Sequence, residues 1–302
     1  MFRPPRRSGR VLILLWLSGM VALWIGQGRH NQLPLEFESE EFASRTFQPG
    51  EIFAPTLIAL MNHELQDGFG WRPNDFFLWG PRLWADNNAA RQLGLLQAFR
   101  KSLQAFKEHL TKDSDNNVDP DVFEADALFA SDGERFWFPS AESQFIRGIE
   151  RLRRYVEGVR NGSRRSHPMT TGSAELGQLL QIWSDLLADA HANLHKEQEA
   201  DGRSVWLRTD RYFYAAQGCA HVQYALLSAI KHEYYRLLTA NLPVQLLIDE
   251  AREALRQAAL MNPPLILNGS PSGLLANHRR NLDAYIVEAR QKMVALQEEL
   301  RK

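Results

Sequence analysis

The side chains of this chain best suited to chemistry sit in a few short stretches. His191 and His195 are four residues apart, so on a helix they share one face, a spacing that zinc sites use. Asp185, Asp189, Glu197 and Glu199 are near them in sequence, but no motif places a third ligand. The pair by itself reads as a solvated polar face, and no metal site is expected. Asp113 to Glu124, DSDNNVDPDVFE, sets Asp113, Asp115, Asn117, Asp119, Asp121 and Glu124 at the ligand positions of a calcium-binding EF-hand loop. Val118 stands where that loop needs glycine for its sharp turn, and Pro120 where it has a small apolar residue. A solvated acidic loop accounts for the same residues. Seven arginines follow it, Arg147, Arg151, Arg153, Arg154, Arg160, Arg164 and Arg165. They form a face for anionic lipid or a partner, or, more simply, they pair with the acidic loop.

The last such stretch is Pro263 to His278, PPLILNGSPSGLLANH. Its two prolines end one helix, Gly269, Pro271 and Gly273 force a compact turn, and Asn277 is placed to cap the next helix. Leu265, Ile266, Leu267, Leu274 and Leu275 must pack inward, which describes a buried connection. If the polar residues converge, Asn268, Gly269, Ser270, Asn277 and His278 make a binding pocket, and these five are the candidate site. No catalytic set is legible. The chain has no G-x-S-x-G elbow, phosphate-binding P-loop or dinucleotide fingerprint, so no cofactor is expected. His232-Glu233 lacks the second His of a metalloprotease helix, and Cys219, the single cysteine, lies on an apolar stripe where a buried, inert thiol is expected.

The elements that position these residues are helical nearly throughout. Leu96, Phe99, Leu103, Phe106 and Leu110 step by 3 and 4, as do Phe145, Ile149, Leu152, Val156 and Val159. Leu176, Leu180, Trp183, Leu187, Ala190 and Leu194 form a third stripe, and Tyr212, Ala216, Cys219, Val222, Leu226 and Ala229 a fourth. Ile248, Ala251, Leu255 and Ala258 mark a fifth, and Leu282, Tyr285, Ala289, Met293, Leu296 and Leu300 a sixth. Phe53 to Gln66 reads as a short helix, and Gly68 to Pro81, crowded with Gly, Pro and aromatics, as a structured loop. No alternating β-branched window competes. The fold class expected is all-α, a bundle of long antiparallel helices. A break at 161–172 divides two helical subdomains or is one long interhelical loop.

Ahead of this body, Val11 to Ile25 runs without a charge, and with its extension to Gly28 it reaches about 27 Å, enough for one membrane crossing. A cleaved signal peptide is the competing reading, though only Gly26-Gln27-Gly28 resembles a cleavage site. Trp16 and Trp24 suit the bilayer interfaces, and Arg3, Arg6, Arg7 and Arg10 orient the amino terminus to the cytoplasm. The 302 residues carry 35 basic and 36 acidic side chains. Setting aside those four arginines leaves 31 basic against 36 acidic, a mildly acidic body with no global pull toward nucleic acid. The organisation expected is a cytoplasmic tip at 1–10, an anchor in the lipid bilayer at 11–28, a tether at 29–52 and a helical periplasmic domain at 53–302.

Several motifs resemble an uncharacterised proteobacterial family of single-pass inner-membrane proteins, known as a domain of unknown function. The carboxy-terminal PLILNGS followed by GLLANH, with Tyr285-Ile286 and Ala289 in the last helix, looks like that family's ending. Gly70-Trp71-Arg72-Pro73-Asn74-Asp75, Trp137-Phe138-Pro139-Ser140-Ala141-Glu142-Ser143 and the segment from Asp210 to Ala216 are similar to others of its motifs. The resemblance runs from about residue 50 to the end and implies the same single span, but carries no activity or cofactor with it. It also implies that Asp113 to Glu124 is a variable acidic connection and that any site lies near Asn268 to His278. The function expected is a non-enzymatic scaffold or interaction protein of the bacterial envelope, anchored in the inner membrane with an envelope protein as partner. The alternative is a ligand-binding or hydrolytic envelope domain with its pocket near Asn268 to His278.

Overall fold

In a computed structural model of the chain, the residues described are 7–30, 47–67, 70–74, 82–112, 115, 117–196, 209–261, 263 and 278–302. Among them the fold is all-α, without a strand. Among the described residues ten α-helices follow one another: α1 (Arg7–His30), α2 (Phe53–Gln66), α3 (Arg82–Ala105), α4 (Pro120–Phe129), α5 (Ala141–Arg160), α6 (Ser173–His195), α7 (Thr209–Glu233), α8 (Tyr235–Thr239), α9 (Leu242–Leu260) and α10 (His278–Leu300).

The helix starts follow from local chemistry. The Asp119 carboxylate accepts the N–H groups of Asp121 and Val122, with Pro120 at the first helical position of α4. Asn241 accepts from Val244 to open α9 before Pro243. Ser140 opens α5 by the same device, its hydroxyl accepting from Ser143 at 3.4 Å. Helix α3 ends in a π-helical turn, Phe106–Leu110, which keeps both of its apolar residues in the core. Phe106 there stacks on Phe53 at 5.0 Å and meets Tyr155 edge-on at 5.3 Å.

Helices α6, α7, α9 and α10 form a four-helix group in which α10 lies against α6 and α9, and α7 lies against the same two. On the far side of α7 packs α3, and α2, α4 and α5 complete that end of the body. Helix α7 is therefore enclosed nearly all round. Of its expected stripe Tyr212 is half-buried and Ala216, Cys219, Val222, Leu226 and Ala229 are buried, but so are Gln217, His221 and Gln223 on its other faces. The α3–α7 crossing is close because both helices carry glycine there. A Cβ on Gly94 would lie 2.1 Å from the Ala215 carbonyl oxygen, and one on Gly218 2.1 Å from that of Arg91.

The stretch between α5 and α6 is fastened along its length. His167 donates its N–H to Asp119, Met169 to the Pro49 carbonyl, and Thr170 to that of Leu110, while the Tyr155 and Tyr234 hydroxyls donate to His167 and Thr170 carbonyls. Within the aromatic loop the described part packs inward. Trp71 is buried, donates its indole N–H to the Gly133 carbonyl at 2.7 Å and sets its ring edge-on to Phe145.

The apolar segment at 11–28 lies on α1, with the side chains of residues 20 and 23–28 outside the described set. Among the described residues no helix is long and apolar enough to cross a membrane.

A candidate metal centre between two helices

Helix α6 buries Leu187, Ala190 and Leu194 toward the core. His191 and His195 each follow a buried residue by one position, about 100° round the helix, so they stand at the border of that stripe. Helix α10 does the same from the other side, where Leu282 is buried and Asp283 follows it at the border. The two helices run antiparallel here. Arg279 reaches the carbonyls of Leu194 and Lys196, and one turn later Asp283 faces His191 and His195.

Asp283 thus receives both imidazoles. Its Oδ1 is 2.6 Å from His191 Nδ1 and its Oδ2 is 2.7 Å from His195 Nε2. The two rings are 4.7 Å apart between centroids and inclined by 57°. The histidine side chains are 44% and 53% exposed, whereas that of Asp283 is 12% exposed, so the carboxylate is the fixed member and the imidazoles face solvent. One donor atom from each residue can be chosen so that all lie within 4.8 Å of one another. Two imidazole nitrogens and a carboxylate oxygen form a donor set suited to zinc and its neighbours in the first transition row. Without a metal the same contacts are hydrogen bonds, each ring nitrogen donating to one carboxylate oxygen.

The five residues expected to form a pocket fare differently. Asn268, Gly269, Ser270 and Asn277 lie outside the described residues, and His278 is the half-buried first residue of α10. A shallow groove of about 370 Å³ opens between α9 and α10, lined by Gln257, Leu260, Met261, Asn281, Ala284 and Tyr285. It lies at the helix ends that the 264–277 connection joins.

In the acidic stretch at 113–124, the carboxylates of Asp119, Asp121 and Glu124 are engaged by protein. Asp119 is buried as the cap of α4, and burial raises its pKa against the lowering by its three N–H donors. Asp121 and Glu124 pair with Arg151 at 3.3 and 2.7 Å. The acidic loop and the arginine cluster therefore do meet, through Arg151, while Arg160 pairs with Glu51 instead. Cys219 is buried, and burial pushes its thiol up to about 12, which leaves it inert.

A second polar cluster, invisible to motif reading, is enclosed between α2, α3 and α7. Arg91 makes a two-pronged contact with Glu64 at 2.9 and 2.5 Å, Asn88 accepts from the Arg91 Nε, and Gln92 donates to Glu64 at 2.9 Å. Buried His221 lies in the same electrostatic environment. Every member is buried, so the cluster braces the helices and offers solvent no entrance.

A family described as an uncharacterised protein conserved in bacteria, DUF2333, matches residues 11–182 and 167–302. The chain belongs to that family. No curated protein and no solved structure matches it. Asp283 lies within the second matched segment, as do both histidines. Sequence reading missed it because it lies 88 residues beyond His195. The available signal was a carboxylate immediately after a core leucine, where a helix border faces a neighbour.

Proposed function

We propose that this family member is a single-pass inner-membrane protein whose helical body, held in the periplasm, acts as a non-enzymatic scaffold or interaction protein of the envelope. The carrying observation is the surroundings of α1. Val11 to Leu17 are seven consecutive apolar residues, each between 47% and 66% exposed. At 100° per residue they cover every side of the helix, so over this stretch α1 has no face docked on the described body. A helix apolar all round needs burial, and the lipid bilayer supplies it. The uncharged part of α1, residues 11–28, extends for about 27 Å, close to the roughly 30 Å of a hydrocarbon core. The amino-terminal arginines favour the cytoplasmic side, which sends the body to the other face.

Exposed apolar side chains on the body support the interaction role. Leu242 and Leu246 lie one turn apart on α9, and Phe136, Trp137 and Phe138 stand exposed before α5, with Phe138 at 90%. The test combines fractionation with crosslinking in intact cells. The full chain is expected to resist alkaline carbonate extraction, a chain lacking residues 1–30 to be released, and a carboxy-terminal alkaline phosphatase fusion to be active. Photocrosslinkers at Leu246 and Phe138 are expected to capture a distinct envelope protein. Extraction of the full chain by carbonate, or an inactive fusion, would overturn the anchor; recovery of the protein alone from both positions would overturn the scaffold.

A further inference from the structure

We propose that His191, His195 and Asp283 bind one divalent transition-metal ion, zinc being the best match to the donors, and that the ion fastens α6 to α10. The convergence itself is the first argument. Two imidazoles from one helix and a carboxylate from the facing helix meet at one point, with 4.7 Å between the rings and contacts of 2.6 and 2.7 Å to the carboxylate oxygens. An ion bound there takes the lone pairs of His191 Nδ1 and His195 Nε2, with each neutral ring carrying its single proton on its other nitrogen, and the Asp283 carboxylate supplies the negative charge.

Geometry is the second argument. Zinc bonds of about 2.0–2.1 Å set ligand atoms about 3.3 Å apart at the edges of a tetrahedron. The donors here span at most 4.8 Å, so the widest pair must close by about 1.5 Å, while the imidazole–carboxylate contacts of 2.6 and 2.7 Å must open by about 0.6 Å to admit the ion. Rotation of the half-exposed imidazoles about their side-chain bonds provides both, while Asp283 stays packed in place. Two ligands four residues apart on one rigid helix and a third from the facing helix also give the site a fixed frame. The neighbouring cations have other contacts. Arg279 donates to the Leu194 and Lys196 carbonyls, and the Lys196 ammonium lies 5.5 Å over the Tyr212 ring and 3.4 Å from its hydroxyl.

The site differs from a zinc hydrolase in one telling position. Zinc proteases with two histidines at this spacing carry a glutamate directly after the first as general base, and here that residue is Ala192. The intervening side chains supply no base, so the ion's role is to hold two helices and to present an open coordination position, not to cleave peptides.

The full chain, purified in detergent and freed of metal with a chelator, is titrated calorimetrically with zinc and melted with and without it. One equivalent is expected to bind, and a hundredfold excess over the Kd to raise the melting midpoint by about 5 °C or more. Cobalt(II) is expected to develop the visible bands of a low-symmetry, near-tetrahedral site. His191→Ala, His195→Ala and Asp283→Asn should each weaken binding at least tenfold while leaving the metal-free midpoint within a few degrees. His195 is more than half exposed, so its variant keeps the test valid if Asp283→Asn fails to fold. No binding by the intact chain, or binding unchanged in His195→Ala and His191→Ala, would overturn the proposal.

Discussion

The carboxylate of Glu233, the last residue of α7, accepts the N–H of Phe53, the first residue of α2, at 2.9 Å. Two further amides converge on it, from Ile52 at 2.8 Å and Gly50 at 3.0 Å. Helix α2 has no cap from its own flanking residue, so a side chain 180 residues away satisfies its opening donors and meets the positive end of its dipole. Burial raises the Glu233 pKa, and the three amide hydrogen bonds hold it down. Glu233→Ala leaves these donors without their acceptor and is expected to cost about 2–3 kcal/mol, read from the denaturation midpoint of the detergent-solubilised chain.

Arg91 and Glu64 form an enclosed ion pair, with side-chain exposures of 1% and 0%. Removing one charge strands the other in a medium that solvates it poorly. Arg91→Met is therefore expected to lose about 3–5 kcal/mol, and the double variant Glu64→Gln/Arg91→Met to recover part of that loss. A double-mutant cycle checks it, and a double variant as unstable as the sum of its parts would contradict the pairing.

Gly218→Ala tests the close approach of α3 and α7. Its new Cβ would meet the Arg91 carbonyl oxygen at 2.1 Å and the Leu95 nitrogen at 2.8 Å, both backbone atoms that cannot rotate away. The helices must separate, at an expected cost of about 1–3 kcal/mol. Gly177→Ala on α6, where nothing lies within 4 Å of the added carbon, is expected to be neutral or slightly stabilising, and comparison of the two melting midpoints checks the contrast.

His221 gives the fold a sensitivity to acid. Burial, reinforced by Arg91 and opposed by Glu64, lowers its pKa from an ordinary 6.5 to about 3. The unfolded chain binds a proton between those values that the folded chain excludes, so stability is complete above about 6.5 and falls as pH drops toward 3. The slope from this residue is at most about 1.4 kcal/mol per pH unit. His221→Leu is expected to flatten the loss of melting midpoint between pH 7 and pH 5 relative to the unaltered chain. An equal loss in both would contradict it.

The sequence by itself determined the class of fold, the core-facing residues of its helices and even the limits of α2 at Phe53 and Gln66, because helical periodicity and end signals are fixed within a few residues of one another. It also marked the acidic and arginine stretches, whose meeting at Arg151 needed only charge. Relations between distant segments belong to tertiary structure. That α7 is enclosed on nearly every face, that Glu233 caps α2, and that Asp283 joins His191 and His195 follow from which helices lie side by side. A single helix face carries no record of its neighbour, so a histidine pair reads as a solvated surface until packing brings a carboxylate from another helix against it.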